Sequence, residues 1–308
     1  MTRQFPSLSR LRALMTVCSA GGFTAAAEEL LLTQSAVSNQ IRTLEEEVGT
    51  LLIERIGKSV RPTREGELLI AAGRRIFREL EDVYAEIDAR RNIVTGEISI
   101  GAGGTVNTYQ LPPLLTQISE EYPNLSIRIL TGNTAPLIDM VLDLELDILI
   151  ATGPIAHRAL AQQQFMNDHY VCITPPGETN LPKRIRPQDL TDKRLILYEK
   201  SGASRDLQDE WLESAPIDPL NIHEIGSAEA QKTFVRAKFG WSLISEMAVL
   251  EDHRRGLLNI VPLSPPLVRP LVAVWRRDRE DIPAIKAVRH VFQQFSERQL
   301  ESERIMTE

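Results

Sequence analysis

The chain has 308 residues, 43% hydrophobic and 25% charged, a composition that fits a globular protein of more than one domain. Its net charge of −7 is uneven: residues 1–64 hold eight basic and six acidic side chains, a local +2, so the rest carries −9. No stretch approaches the roughly 20 apolar residues of a membrane span, and Cys18 and Cys172, read as buried packing residues of different domains, exclude a disulfide framework and fit a reducing cytoplasm.

Leu8, Leu11, Leu14, Met15 and Cys18 recur at helical spacing and predict an amphipathic first helix. Arg10 and Arg12 ahead of ALMTVCSAGG imitate a secretory leader. The apolar run is short, broken by polar residues and merges into the next helix, so no leader is expected. Residues 24–48 predict two short helices joined by a tight turn. Ala25, Ala26 and Ala27 are small enough for one helix to cross another closely. Leu30, Val37, Ile41 and Leu44 give the apolar face, and Thr33 supplies an N-cap hydroxyl.

Behind that cap come Gln34, Ser35, Ser38 and Asn39, followed by Arg42. These hydrogen-bonding side chains fill the turns that reach base edges when a helix-turn-helix docks in a major groove. An ordinary surface helical hairpin is the competing reading. Two β-prone segments over residues 51–63, turning at Gly57, predict a wing beside the helices, with Lys58 and Arg61 placed for phosphates or a minor groove.

The order GGFTAAAEEL, TQSAVSNQI, TLEEEVG and then V.PT.EG across residues 21–66 resembles the winged helix-turn-helix of LysR-type transcriptional regulators. The likeness continues at lower strength to about residue 300. It implies that Gln34, Ser35, Ser38 and Asn39 contact bases and that Lys58 sits at the wing. Asn39 stands where the family often has Arg, and Pro62 where Leu or Thr is more usual. Both departures bear on sequence preference rather than on the mode of binding.

Thr63 reads as the N-cap of a long helix, with Glu65 and Glu67 at the positive end of its dipole. Leu69, Ala72, Ile76, Leu80, Val83 and Ile87 then recur at spacings of three and four, with charged residues between them. That is a coiled-coil seam, so Leu69, Ile76, Leu80, Val83 and Ile87 are expected to hold a dimer. The alternative is a helix packed on its own domain. Thr95 and Gly96 end it.

From residue 97 the pattern alternates between strands and helices. Strands are predicted at 97–101, 126–130, 147–151, 170–174, 195–197, 221–225, 241–245 and 271–275, with helices at 111–121, 136–142, 205–212, 228–237 and 284–298. Repeated βα units imply mostly parallel sheets with helices on both faces. Residues 111–151 also resemble the LysR-type family, which implies a two-lobed effector domain like the periplasmic solute-binding proteins, with hinges near 162–165 and 266–270. FGWSLIS at 239–245 fills the family's late β-element but has Lys238 before it and Ser245–Glu246 after it, where the family has Gly and Leu-Pro. Asp147, at the start of a buried strand, reads as structural.

The expected fold is therefore an α/β multidomain chain. A winged helix-turn-helix spans 1–64, a linker and dimerisation helix 65–94, and a two-lobed effector-binding domain 95–308. Lobe I takes about 95–162 and 268–308, and lobe II about 163–267.

In open α/β sheets ligands bind beyond the carboxyl ends of strands, near helix N-termini. Four such places carry small polar groups: Gly103–Gly104–Thr105, Gly132–Asn133–Thr134, Ser201–Gly202–Ala203–Ser204, and Gly226–Ser227. Each alone reads as a turn or cap; the resemblance brings them together at an inter-lobe cleft. The predicted effector-binding set is Gly103, Gly104, Thr105, Asn133, Thr134, Ser201, Gly202 and Ser227. GAGGTV at 101–106 lacks the third glycine of a dinucleotide fingerprint.

Catalysis is not expected. His157, His169, His223, His253 and His290 show no metal-ligand spacing, and neither a GxSxG elbow nor a phosphate loop is present. The expected function is a bacterial, cytoplasmic, sequence-specific transcription regulator without a metal or cofactor. Its partners would be double-stranded DNA, a small-molecule effector, further copies of itself and RNA polymerase. The resemblance adds assembly into a tetramer.

The effector should be a small polar or anionic metabolite, because an aromatic content of 5% suits an aromatic ligand poorly. No arginine can be placed in the cleft from the sequence, so a carboxylate is not required. Two readings compete: an α/β solute-binding protein or enzyme with a helical appendage, and an architectural DNA-binding protein without a ligand.

Overall fold

The computed structural model describes residues 5–307 apart from 57, 58, 92, 201 and 217–220. The predicted wing residue Lys58, with Gly57, and the predicted cleft residue Ser201 lie outside the described residues. The chain divides into two compact units, Met1–Tyr84 and Ala85–Glu308.

The first unit runs α1 (Leu8–Ser19), α2 (Phe23–Glu29), α3 (Gln34–Val48), β1 (Ile53–Ile56), β2 (Ser59–Pro62) and the start of α4 (Arg64–Ala89). Val37, Ile41 and Leu44 form one stripe of α3 and are buried with Leu14 and Val17 of α1 and with Ala26 and Ala27 of α2. The same period leaves Gln34, Ser35, Asn39 and Arg42 exposed on the other face. The Thr33 hydroxyl accepts the Ala36 N–H at 3.2 Å and so begins α3. Gly49 ends it at φ +84°, a left-handed cap that glycine adopts without strain. β1 and β2 pair antiparallel, with Ile53 opposite Pro62.

Thr63 caps α4 as the sequence indicates: its hydroxyl accepts the Gly66 N–H at 3.0 Å and donates to the Leu51 carbonyl at 2.9 Å. A Cβ at residue 66 would stand 2.0 Å from the Leu52 carbonyl oxygen, so only glycine lets α4 leave the core there. Gly66, Ile70 and Gly73 form the buried face. Ile76, Leu80, Val83 and Ile87 lie on an apolar row that is 39–47% exposed. Leu69 differs from this row. It is half-buried against the first unit's core, because the first turns of α4 are packed on their own domain.

The second unit is built from β3 (Gly96–Ala102), α5 (Gly104–Tyr109), α6 (Leu111–Glu121), β4 (Leu125–Thr131), α7 (Thr134–Leu142), β5 (Ile148–Thr152) and β6 (Leu160–Thr174). There follow β7 (Arg194–Leu197), α8 (Ala203–Glu213), β8 (Asn221–Glu224), α9 (Ala228–Arg236), β9 (Trp241–Ser245), α10 (Leu250–Arg254), β10 (Asn259–Arg276) and α11 (Pro283–Thr307). One eight-stranded sheet has the order β4-β3-β5-β10-β6-β9-β7-β8.

Its two flanks are parallel, as βα repetition implies. Its centre, where β5, β10, β6 and β9 meet, is antiparallel, a feature that βα repetition does not signal. The cause is two strands far longer than their sequence signal. β6 is signalled only at 170–174, because AQQQ and MND dilute its first half. β10 is signalled only at 271–275, because Pro262, Pro265, Pro266 and Pro270 argue against a strand interior. The ladder between them accommodates the prolines through a register shift between Pro262 and Leu267.

These two strands run through both lobes. In lobe II, Tyr170 and Cys172 enter one core cluster and Val171 and Ile173 another, the period-two alternation of a strand buried on both faces. In lobe I, Leu271 and Trp275 of β10 and Val272 and Val274 divide in the same way. Phe165 is buried in the lobe I core, its ring 5.0 Å from that of Phe292. On β6 the lobe I core extends to Met166 and the lobe II core takes over at Tyr170; on β10 the corresponding residues are Leu271 and Leu267. No described helix is long and apolar enough to cross a membrane.

Candidate functional sites

Two surfaces carry the residues singled out by the sequence. The first is the exposed face of α3. Thr33 and Ser35 hydroxyls are 3.1 Å apart at its start, and Gln34 is exposed. Ser38 is half-buried one turn on. The Arg42 guanidinium donates to Asn39 Oδ1 at 2.7 Å, which engages the amide oxygen of this exposed side chain and leaves its Nδ2 donors free of that contact. Arg61 is exposed on β2, and Arg55 on β1 lies over the Phe23 ring at 5.6 Å. Neutral donors and acceptors thus line the start of a helix flanked by cations, the combination that reads base edges and grips phosphates.

The second is a cleft of about 290 Å³ in the second unit. Gly103, Gly104, Thr105, Asn133, Thr134, Gly202 and Ser227 all line it, with Gly132, Ala203, Ser204 and Gly226. They meet because each follows a strand and opens a helix: α5, α7, α8 and α9 all begin at this space. Ser227 caps α9 by accepting the Ala230 N–H, whereas Asn133 makes no capping bond and leaves its amide for the cleft. Two contacts close the lobes upon each other. The Thr105 and Tyr198 hydroxyls are 3.1 Å apart, and Lys232 Nζ donates to the Tyr109 hydroxyl at 3.0 Å.

The structure also supplies an arginine that the sequence pattern does not place. Arg269 lines the cleft although it is only 4% exposed. It stands opposite Asp168 in the β10–β6 ladder. Its Nε donates to Asp168 Oδ2 at 3.0 Å, its Nη2 to the same oxygen, and its Nη1 to the Ser204 hydroxyl at 2.9 Å. Ser245 donates to Asp168 Oδ1 at 2.6 Å. Burial alone would lower the Arg269 pKa. Tyr170, Asp168 and Tyr198 outweigh it, so the guanidinium is held charged above its ordinary value. Burial, then the neighbouring Tyr170, pushes the Tyr198 phenol up, so it stays protonated.

Glu199 and Glu229 complete the charged lining, and the sequence reading misses them too. A signal for Arg269 is present: one arginine inside the otherwise apolar run LVRPLVAVW. Asp147 lies outside this cleft. It accepts from the Ser99 N–H and hydroxyl at 2.9 and 2.8 Å and is buried, a structural role as read from sequence.

Comparison with known proteins bears on both surfaces. Residues 8–67 match the family model described as bacterial regulatory helix-turn-helix protein, lysR family, and residues 91–296 match the LysR substrate binding domain. The chain belongs to the LysR family of transcriptional regulators. It is 32% identical to the HTH-type transcriptional regulator CysL of Bacillus subtilis over 81% of this chain and 85% of that protein. It is 30% identical to the HTH-type transcriptional regulator CbbR of Xanthobacter flavus, over 92% of this chain and 86% of that protein. Its fold is shared with a full-length OxyR variant from Pseudomonas aeruginosa at a TM-score of 0.75 and 24% identity, covering 94% and 98% of the two chains. As a LysR-family member the chain is a DNA-binding transcription regulator with an effector-binding domain.

The α3 face makes a direct test. Gln34→Ala should cost roughly 1–3 kcal/mol on the preferred duplex and relax its base preference. Arg61→Ala should weaken preferred and random duplexes alike and make the salt dependence shallower by about one unit of slope. Titrations at several salt concentrations separate the two. Equal profiles for both variants would remove α3 from the base-reading role.

Proposed function

We propose that this regulator reads a specific duplex site through α3 and the β1–β2 wing, and that a small polar or anionic metabolite in the cleft modulates that binding. The observation carrying the reading is the cleft: four helix starts and a buried guanidinium face one space. Backbone N–H groups at helix starts carry partial positive charge and favour anions and hydrogen-bond acceptors. A space of 290 Å³ sits at the small end of ligand pockets. The reading divides the chain into 1–64 for DNA, 65–94 for linkage and 95–308 for the effector. It needs no cofactor and assigns no catalysis.

The proposed working form is a homodimer through α4, with second units pairing into a tetramer. Support comes from the exposed apolar row of Ile76, Leu80, Val83 and Ile87, which continues with Tyr84 at 69% exposure. A dimer would set two α3 helices in major grooves about 34 Å or a multiple apart. Ligand binding would then act as a difference in affinity between two lobe arrangements. RNA polymerase and the bacterial cytoplasm complete the proposed setting.

Leu80→Glu puts a charge into the row and should yield monomers in sedimentation and remove cooperative DNA binding. An unchanged assembly would refute the seam. For the cleft, thermal shift of the full chain against small metabolites should find a binder. At a hundred times its Kd such a ligand adds about 2.7 kcal/mol. Thr105→Val removes the hydroxyl facing Tyr198 and should weaken that binder by about 0.5–1.5 kcal/mol. A Thr105→Val protein with the wild-type shift would separate Thr105 from the site.

A further inference from the structure

The cleft is lined by charges of both signs. At one end stand Arg269, Ser204, Tyr198 and Thr105. Of the five N–H groups of a guanidinium, Arg269 uses three on Asp168 and Ser204, which leaves two for the cleft it lines. The Thr105–Tyr198 contact consumes one of two hydroxyl protons and leaves the other to donate. This end offers a guanidinium and hydroxyls and carries no free carboxylate.

The other end surrounds the start of α9. Glu199 Oε1 lies over Gly226, so close that a Cβ there would stand 2.7 Å from it. Glu229 lies in the first turn of α9. The positive end of this helix is therefore already served by two carboxylates of the chain itself, and its cap by Ser227. An anionic ligand group is steered away from α9 and toward Arg269.

The charges do not balance. Arg269 is matched by Asp168, and Glu229 by Lys232 at 2.6 Å, with Asp252 shared between Lys232 and Arg236 at 2.8 and 3.0 Å. Glu199, exposed to solvent on the cleft wall, is the one charged lining residue without an ion-pair partner among the described residues and so is open to a ligand cation. A phosphate ester or a dicarboxylate would set its charge against that carboxylate. A ligand that carries a protonated amine beside a carboxylate satisfies both ends.

We propose that the effector is a small zwitterion of amino-acid type, its carboxylate on Arg269 and the hydroxyl donors, its ammonium on Glu199. This rests on the reading of the cleft as the effector site and narrows it to one chemical class. Glu199 is then the residue that selects the amine.

The test uses the full chain and isothermal titration with the proteinogenic L-amino acids one at a time, followed by the N-acetyl and 2-hydroxy forms of any that bind. Succinate and glycerol phosphate serve as anions without an amine. One or more amino acids should bind, and their N-acetyl and 2-hydroxy forms should bind roughly tenfold or more weakly, since a lost charge contact on this scale is worth about 1.4 kcal/mol. Glu199→Gln should abolish that discrimination while leaving the weaker analogues unaffected. No amino acid binding, or succinate or glycerol phosphate binding more tightly, overturns the zwitterion. If such an anion is weakened by Thr105→Val, the cleft survives as the site and only the ligand class fails. An amino acid that binds wild type, Thr105→Val and Glu199→Gln equally sits elsewhere and overturns both readings.

Discussion

The salt bridge between Asp168 and Arg269 is the contact on which the second unit's architecture turns. The two residues face each other across the β6–β10 ladder at the point where both strands pass from one lobe to the other. Both are almost fully buried. Withdrawing such charges from water costs several kcal/mol per ion, and their attraction offsets this only when the remaining donors and acceptors are bonded. Ser245 and Ser204 supply those bonds. A buried pair is thus weak evidence of net stability. This pair fixes one guanidinium at the floor of the cleft, in the strands that both lobes share, so lobe geometry and ligand chemistry meet at one residue.

The rest of the cleft follows from βα topology. A strand that ends and a helix that begins leave a turn whose backbone N–H groups point away from the sheet. Where strand order reverses, such turns face one another. Here β3 and β4 in lobe I, and β7 and β8 in lobe II, each deliver one turn to the same space. The small residues at these turns let a ligand approach the backbone closely. Tyr198 and Glu199, the side chains proposed to add selectivity, follow directly after β7.

What is legible in the sequence is what is local. Val37, Ile41 and Leu44 announce a buried stripe by spacing, and Thr33 and Thr63 make the capping bonds that their positions indicate. The cleft turns are legible as a set because glycine, serine and asparagine mark helix starts. What stays hidden depends on distant partners. Asp168 and Arg269 are 101 residues apart, and neither shows in isolation that it is buried and paired. The long halves of β6 and β10 are hidden because runs of polar residues and repeated proline are poor strand signals. They become strands only when each has the other to pair with. Leu69 looks like its heptad neighbours because spacing does not reveal which turn of a long helix is already covered by its own domain.

The two surfaces suit the division of labour in a LysR-family regulator: a neutral, hydrogen-bonding helix face proposed to read DNA, and a charged cleft proposed to sense a metabolite. The central claim is that the sensing site is the cleft floored by Arg269. A crystal structure of the full chain with a small molecule that alters its DNA affinity tests this most directly. The account predicts the molecule between Thr105, Ser204 and Arg269, with Asp168 still paired to the guanidinium. The molecule bound on another surface, with only water in the cleft, would contradict it.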